Sequence, residues 1–252
     1  MHILLTNDDG IDAPGLYALY KEIEKLGEVS IVAPDVERSA VGHAITTVDP
    51  LRVKEIRRDG SIYGLAVSGT PADCVKIAVR ALLKERPDMV ISGINQGPNT
   101  GINVIYSGTV SAATEATMLG IPAFAISLDS FTSTEFHYAA EFAKKLVGLL
   151  AKNKLREGIL LNVNVPSIPK EEVKGVRVTR QGMARFTEAF YKRVDPRNRD
   201  YWWLGGELME VDEKGGTDSN ALKNKEVSVT PLHYDMTDYD SLGIIREWCF
   251  EK

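Results

Sequence analysis

Cysteine is nearly absent. Two residues in 252, Cys74 and Cys249, are too few for a disulfide framework, and without a CxxC spacing they exclude a thiolate zinc site. Both read as small buried apolar side chains in a reducing compartment. Long hydrophobic runs are missing as well: none approaches the roughly 18 residues that a membrane-spanning helix needs. The opening Met1-His2-Ile3-Leu4-Leu5 runs at once into Asn7-Asp8-Asp9, so it has neither the basic start nor the apolar length of a signal peptide. A cytoplasmic protein without membrane attachment is predicted. Charge of one sign is nowhere concentrated. Thirty Lys+Arg against 35 Asp+Glu leave a net charge of −5, and without a run of like charges the chain is not expected to bind a nucleic-acid polymer. A Walker loop, a Gly-x-Ser-x-Gly nucleophile elbow and a dinucleotide fingerprint are all absent. With 44% hydrophobic and 26% charged residues, the chain is neither disordered nor fibrous, and it is long enough for one large domain with an appendage.

Short β-branched runs alternate with helix-period segments through the first two thirds of the chain. Residues 2–6, 29–33, 89–92 and 123–128 read as buried parallel strands, and residues 15–26, 71–83, 110–119 and 135–151 as helices. Thr70 as N-cap, Pro71 at the first helical position and Asp73 completing a capping pattern mark one helix start. Residues 44–67 alternate instead, with Arg57-Arg58-Asp59-Gly60 as the turn of an inserted β-hairpin. Residues 160–165 and 176–179 read as further strands, and residues 183–237 are rich in aromatic, Gly and charged residues without long helical periodicity. The expected fold is α/β: a Rossmann-like, mainly parallel sheet over residues 1–180 with helices on both faces and an inserted hairpin, followed by a β-rich C-terminal extension over residues 181–252. Its Tyr201-Trp202-Trp203-Leu204 cluster is hard to bury inside one small appendage, so it packs on the main domain or meets another subunit.

In open α/β sheets ligands bind at the carboxyl ends of the strands, so the residues just after each apolar run are the candidates for chemistry. After the first run comes Asn7-Asp8-Asp9-Gly10, where a turn lets two carboxylates converge and favours a bound divalent cation; the alternative is helix capping. After the second, Ser39 offers a neutral oxygen acceptable to a hard cation, and His43 is either catalytic or a hydrogen-bonded structural histidine. The segment Ser92-Gly93-Ile94-Asn95-Gln96-Gly97-Pro98-Asn99-Thr100-Gly101 suggests backbone that approaches a ligand closely. Within it, Asn95 offers an amide oxygen to a metal and Asn99 an amide donor to an anion. Ser107-Gly108-Thr109 at a helix N-terminus offers backbone N–H groups and hydroxyls to an oxyanion, against plain helix capping. An acidic pair, a serine, an asparagine and an anion cradle together suit hydrolysis of a phosphoester. His233, in Pro231-Leu232-His233-Tyr234-Asp235, is the candidate general acid for the leaving alkoxide, with a structural role as its alternative.

Thr6-Asn7-Asp8-Asp9-Gly10, Ala33-Pro34-Asp35 with Glu37-Arg38-Ser39, Ser68-Gly69-Thr70-Pro71-Ala72-Asp73-Cys74-Val75, Ser92-Gly93-Ile94-Asn95, Tyr106-Ser107-Gly108-Thr109-Val110 and Thr230-Pro231-Leu232 together resemble the stationary-phase survival protein SurE family, over residues 3 to about 240. The resemblance implies a divalent-metal-dependent phosphatase of nucleoside 5'- and 3'-monophosphates, with short polyphosphate as a further substrate and one Mg or Mn ion per subunit. It implies metal ligation by Asp8, Asp9, Ser39 and Asn95, with Asp8 and Asp9 catalytic, and phosphate contacts from Asn99, Ser107, Gly108 and Thr109. It also implies a homodimer or homotetramer whose C-terminal extension is exchanged between subunits. Where many relatives have Gly, this chain has Ala40. Two rival functions stay open at this stage: a metal-diphosphate-dependent nucleotidyl or glycosyl transferase, and a non-catalytic phosphate sensor.

Overall fold

The computed structural model describes residues 1–209 and 215–248, and Cys249 lies outside them. Strand β1 (His2–Thr6) shows why the core has two halves. Side chains alternate along a strand, so Ile3 and Leu5 join one apolar cluster and Leu4 the other. Helix α1 (Pro14–Ile23) lays Leu16, Leu19 and Ile23 on the Ile3 face, and β2 (Glu28–Pro34) returns parallel to β1. The predicted hairpin forms as β3 (Val53–Arg58) and β4 (Ser61–Val67), joined through Asp59 and Gly60 at φ 50° and 80°, the left-handed pair that a two-residue hairpin turn demands. Because β4 pairs parallel with β2, the hairpin is the edge of the main sheet, and residues 44–52 form no strand.

Helix α2 (Pro71–Ile77) starts on a capping box: Thr70 Oγ1 accepts the Asp73 N–H at 3.1 Å, and Asp73 Oδ2 accepts the Thr70 N–H at 2.9 Å. Its predicted continuation, residues 78–82, widens into a π turn closed by Leu83 N–H to Ala78 O at 3.0 Å. There follow β5 (Met89–Gln96), the short α3 (Asn103–Tyr106), α4 (Gly108–Met118), β6 (Ala123–Asp129), α5 (His137–Leu150) and β7 (Ile159–Pro166). Helices α1 and α5 cover one face, while α2 and α4 cover the other. On that second face Ala112, Ala113 and Ala116 of α4 oppose Ala123 and Ala125 of β6, small side chains that bring the helix close to the sheet. Phe124, wholly buried on the opposite face, is worth about 3–5 kcal/mol against truncation to alanine.

The chain ends with β8 (Gly175–Val178), β9 (Arg185–Val194), β10 (Asp200–Met209), α6 (Asp218–Lys223), β11 (Glu226–His233) and α7 (Ser241–Arg246). Nine strands make the main sheet in the order β3-β4-β2-β1-β5-β6-β7-β11-β8. Strand β11 lies in that sheet, antiparallel to β7 and parallel to β8, so part of the region read as the extension returns to the core. What stands apart is the antiparallel ribbon β9–β10, whose Phe190, Tyr191, Trp202, Trp203 and Leu204 are exposed. Among the described residues no helix is long and apolar enough to cross a membrane.

Candidate active site

Strand β1 is flanked by β2 on one side and β5 on the other, so the chain reverses its direction of travel through the sheet there. The crevice beyond the carboxyl end of β1 is the topological position for a ligand. Asp8 lies there, buried, and its Oδ1 accepts the Thr109 hydroxyl at 2.5 Å, which ties the turn after β1 to the start of α4. Gly108 is pressed on the same side chain: a Cβ at this position would stand 2.8 Å from the Asp8 Cβ and 2.9 Å from Oδ2. Asp9 Oδ2 accepts the Gln96 backbone N–H from the end of β5, at 3.3 Å. Asn7 closes the turn through Nδ2 to Gly10 O at 2.9 Å, and Arg38 N–H donates to Asp8 O at 2.7 Å. Capping does not explain the acidic pair, because α1 has Ala13 as N-cap and no side-chain cap bond.

Burial pushes the Asp8 carboxyl above the usual carboxylate range in spite of the Thr109 bond, and the nearby Glu37 charge adds to the rise. Burial, followed by the charge of Asp8, pushes Asp9 up to about 7. Two desolvated carboxylates repel each other here, and neither makes an ion pair among the described residues. Asn7 Oδ1 is buried with no hydrogen-bond partner. Asn95 spends its Nδ2 on Gly97 O at 2.7 Å, which leaves its Oδ1 uncommitted. This set fits a hard divalent cation. Among the described residues no group of three or more His, Cys, Asp and Glu could hold a metal, so the donors here are two carboxylates with neutral oxygens. Ser39 lies in the exposed loop after β2 with its hydroxyl donating to Glu37 Oε1 at 2.6 Å, and Ala40 beside it has φ 56°, a left-handed conformation that glycine adopts without strain.

The cradle forms from an eleven-residue helix. Ser107 is the N-cap of α4, its Oγ accepting the Val110 N–H at 3.1 Å, so the Gly108 and Thr109 N–H groups are left at the positive end of the helix. The Thr109 hydroxyl is committed to Asp8. Asn99 sits in a buried amide network: its N–H donates to Asn164 Oδ1 at 2.7 Å, its carbonyl accepts from Asn162 and Asn164, and its Nδ2 donates to Ser127 Oγ at 2.8 Å.

Two sequence expectations change, and of the two readings of His43 the structural one holds. The glycines within and after β5 approach this chain's own atoms rather than a ligand: an added Cβ would stand 2.2 Å from Ile126 O at Gly93, 2.5 Å from the Phe131 ring at Gly97 and 2.3 Å from Ala184 O at Gly101. His43 takes the structural alternative, with Nε2 3.0 Å from Glu115, whose other oxygen meets Lys76 at 2.8 Å. His233 is at the wrong edge. Strand β11 runs antiparallel to β7, so His233 pairs with Ile159 at the start of β7, at the far end of the sheet from the carboxyl end of β1. Its Nδ1 accepts the Asp235 N–H at 2.8 Å, and within one chain it cannot serve Asp8 or Asp9 as a general acid. Glu37, Gln96 and Arg38 are the neighbours that sequence reasoning left without a role. Arg38 and Glu37 belong to the loop that carries Ser39, but a backbone bond to Asp8 and a through-space charge leave no spacing signature.

A family model described as "Survival protein SurE" matches residues 3–188 of this chain. A protein named "5'-nucleotidase SurE" from Syntrophobacter fumaroxidans is 51% identical over 248 residues, covering 98% of this chain and 99% of its own. Another of that name, from Desulfatibacillum aliphaticivorans, is 52% identical over 252 residues, the whole of both chains. The crystal structure of the SurE protein from Aquifex aeolicus superposes with a TM-score of 0.84 at 41% identity and 98% coverage of each chain.

Proposed function

From the premise that the chain belongs to the survival protein SurE family, we propose how its residues divide the work of a 5'-nucleotidase, a phosphoric monoester hydrolase that cleaves nucleoside monophosphates to nucleoside and phosphate. One observation carries the assignment: Asp8, one of two desolvated neighbouring carboxylates, stands against the N-terminus of α4, in contact with Gly108 and bonded to the Thr109 hydroxyl. Asp8 and Asp9 would hold one divalent cation, Mg or Mn, with Ser39 Oγ and Asn95 Oδ1 as neutral companions. Bound there, such an ion supplies Lewis-acid activation of water and of the phosphoryl group. The Thr109 hydroxyl fixes the orientation of Asp8. The backbone N–H groups of Gly108 and Thr109, with the Ser107 hydroxyl, receive the phosphate oxygens as their charge develops. Asn99 holds the loop that borders this cradle and, with one amide N–H spent on Ser127 Oγ, would offer the other to the same anion. Because nothing in this set reads the sugar position, 3'-monophosphates and short polyphosphate are included among the substrates.

The exposed ribbon β9–β10, within the extension at residues 181–252, is proposed to be exchanged with a second copy in a dimer or tetramer, and we propose that the enzyme works in the cytoplasm. Light scattering of the protein at micromolar concentration should give at least twice 27.7 kDa, and a monomer mass would refute the exchange. The activity is tested by phosphate release from nucleoside 5'- and 3'-monophosphates and polyphosphate, with Mg, Mn or chelator. Turnover restored by metal after chelation is expected. Full activity in chelator would remove the cation from the mechanism, and tight binding without turnover would identify a sensor.

A further inference from the structure

The loop that leads from β5 into the cradle is clamped from two directions. On the sheet side, Asn162, Asn164 and Ser127 take the polar groups of Asn99. On the other side stand residues of the segment that leads into the β9–β10 ribbon and of α6, which follows it in the chain. Asp218, wholly buried at the first position of α6, accepts the Gly101 N–H at Oδ2, 2.9 Å, and the Gly182 N–H at Oδ1, 3.0 Å. Gln181 Nε2 donates to Gly101 O at 2.9 Å, and Ile102 N–H donates to Ala184 O at 3.0 Å. The fit is close, since even a methyl group at Gly101 would overlap the Ala184 backbone. Gly101 is followed directly by α3 and Ser107, so its position sets where the cradle begins.

We infer that Asp218 is a positioning residue for phosphate binding: one carboxylate fastens the Gly101 loop to the root of the ribbon, and Gln181 supports it from the same root. This rests on the reading of Ser107, Gly108 and Thr109 as the phosphate cradle. The carboxylate suits the task because its two oxygens satisfy backbone donors from separate segments at once, which a shorter or neutral side chain does not reproduce. A ribbon that moves on meeting a second copy of the chain therefore moves one wall of the phosphate loop. The hydrogen bonds of Asp218 make it part of the fold as well, so stability alone does not separate positioning from packing.

The probe is inorganic phosphate, titrated by calorimetry into the full chain with Mn present, together with KM and kcat for a nucleoside monophosphate. In Asp218→Asn the amide N–H₂ faces the Gly101 N–H, and a misplaced loop of this kind costs on the order of ten- to a hundredfold in kcat/KM. The loss is expected mainly in KM and to be matched by weaker phosphate binding at a temperature where circular dichroism shows the native fold. Gln181→Ala, at an exposed position, is expected to weaken phosphate binding in the same direction by a smaller factor. Asp195→Asn, in the turn at the far end of the ribbon, should leave both unchanged. Wild-type affinity for phosphate in folded Asp218→Asn overturns the inference. If that variant does not fold, Gln181→Ala decides alone, and wild-type affinity there overturns it equally. A wild-type protein that binds phosphate without hydrolysing nucleotides would defeat the nucleotidase reading while leaving this inference to be judged on the phosphate affinities.

Discussion

Asp73 and Asp9 are both carboxylates at the carboxyl edge of the same sheet, yet their surroundings treat charge in opposite ways. Asp73 is buried among donors: the Thr46 N–H and hydroxyl and the Thr70 N–H all point at it. Burial raises its pKa, but the bonds from Thr46 and Thr70 outweigh that and hold the carboxyl below the usual range. Asp9 has one long backbone bond, and its second neighbour is another carboxylate, so burial and the charge of Asp8 prevail. The fold has answered one negative charge from within the chain and left the other unanswered. Unanswered buried charge costs stability, and it persists where a ligand supplies the missing partner.

Removing the unanswered charge should have the largest effect on chemistry and little on the fold. Asp9→Asn or Asp8→Asn is expected to lower kcat/KM for a nucleoside monophosphate by about a thousandfold or more, since the pair would no longer hold the proposed cation and its Lewis-acid chemistry would be lost. Steady-state kinetics with saturating Mg or Mn checks this, and activity within tenfold of wild type would place the pair outside the mechanism. Ser107→Ala comes next. One hydroxyl donor to a charged oxygen is worth about 1.5–3 kcal/mol, or roughly ten- to a hundredfold in kcat/KM, while the backbone N–H groups remain. Because Ser107 Oγ also caps α4, the same variant should lose about 1 kcal/mol of stability. A loss of turnover as deep as that of Asp9→Asn would show that the cradle and the cation site are not separable.

The answered charge gives the reverse pattern. Asp73→Ala strands the Thr46 and Thr70 N–H groups, at a cost of about 1–3 kcal/mol, and should lower the melting temperature while the folded variant keeps most of its turnover. The sign of its pH dependence follows from the depressed pKa. The folded carboxyl ionises below its unfolded value, so the advantage of wild type over Asp73→Ala is complete above the unfolded pKa, near 4, and lost as pH falls through the lower folded value. Melting curves of both proteins from pH 7 down to 3 should converge at the acid end. Curves that stay parallel would mean that Asp73 acts through packing alone. The smallest effect belongs to His233→Ala, which at the far edge should cost the same modest factor on a nucleoside monophosphate and on p-nitrophenyl phosphate. A loss confined to the nucleotide would restore the general acid, supplied from another subunit.

Local chemistry made much of this legible in the sequence. The continuous apolar run Ile3-Leu4-Leu5 and the Thr70-Pro71-Asp73 cap describe β1 and the start of α2 because each depends on neighbours a few residues away. Strand ends are local too, which is why Asp8, Asp9 and Ser107 fall where a parallel sheet collects its ligands. What stayed hidden depends on partners distant in the chain. The direction of β11 is set by β7, and it carries His233 away from the site. A glycine shows that space is short without showing what fills it, and at Gly93 and Gly101 the space is filled by Ile126 and Ala184 rather than by a ligand. The Thr109 hydroxyl offers an oxyanion donor on paper and binds Asp8, 101 residues earlier.

If the acidic pair costs the fold stability and persists because a cation answers its charge, the melting temperature of Asp9→Asn in chelator reveals it. The metal-free variant should melt no lower than metal-free wild type, and added Mn should raise the wild-type melting temperature while leaving that of the variant unchanged. A variant that melts several degrees below wild type in chelator, as Asp73→Ala should, would contradict this and make Asp9 a structural carboxylate.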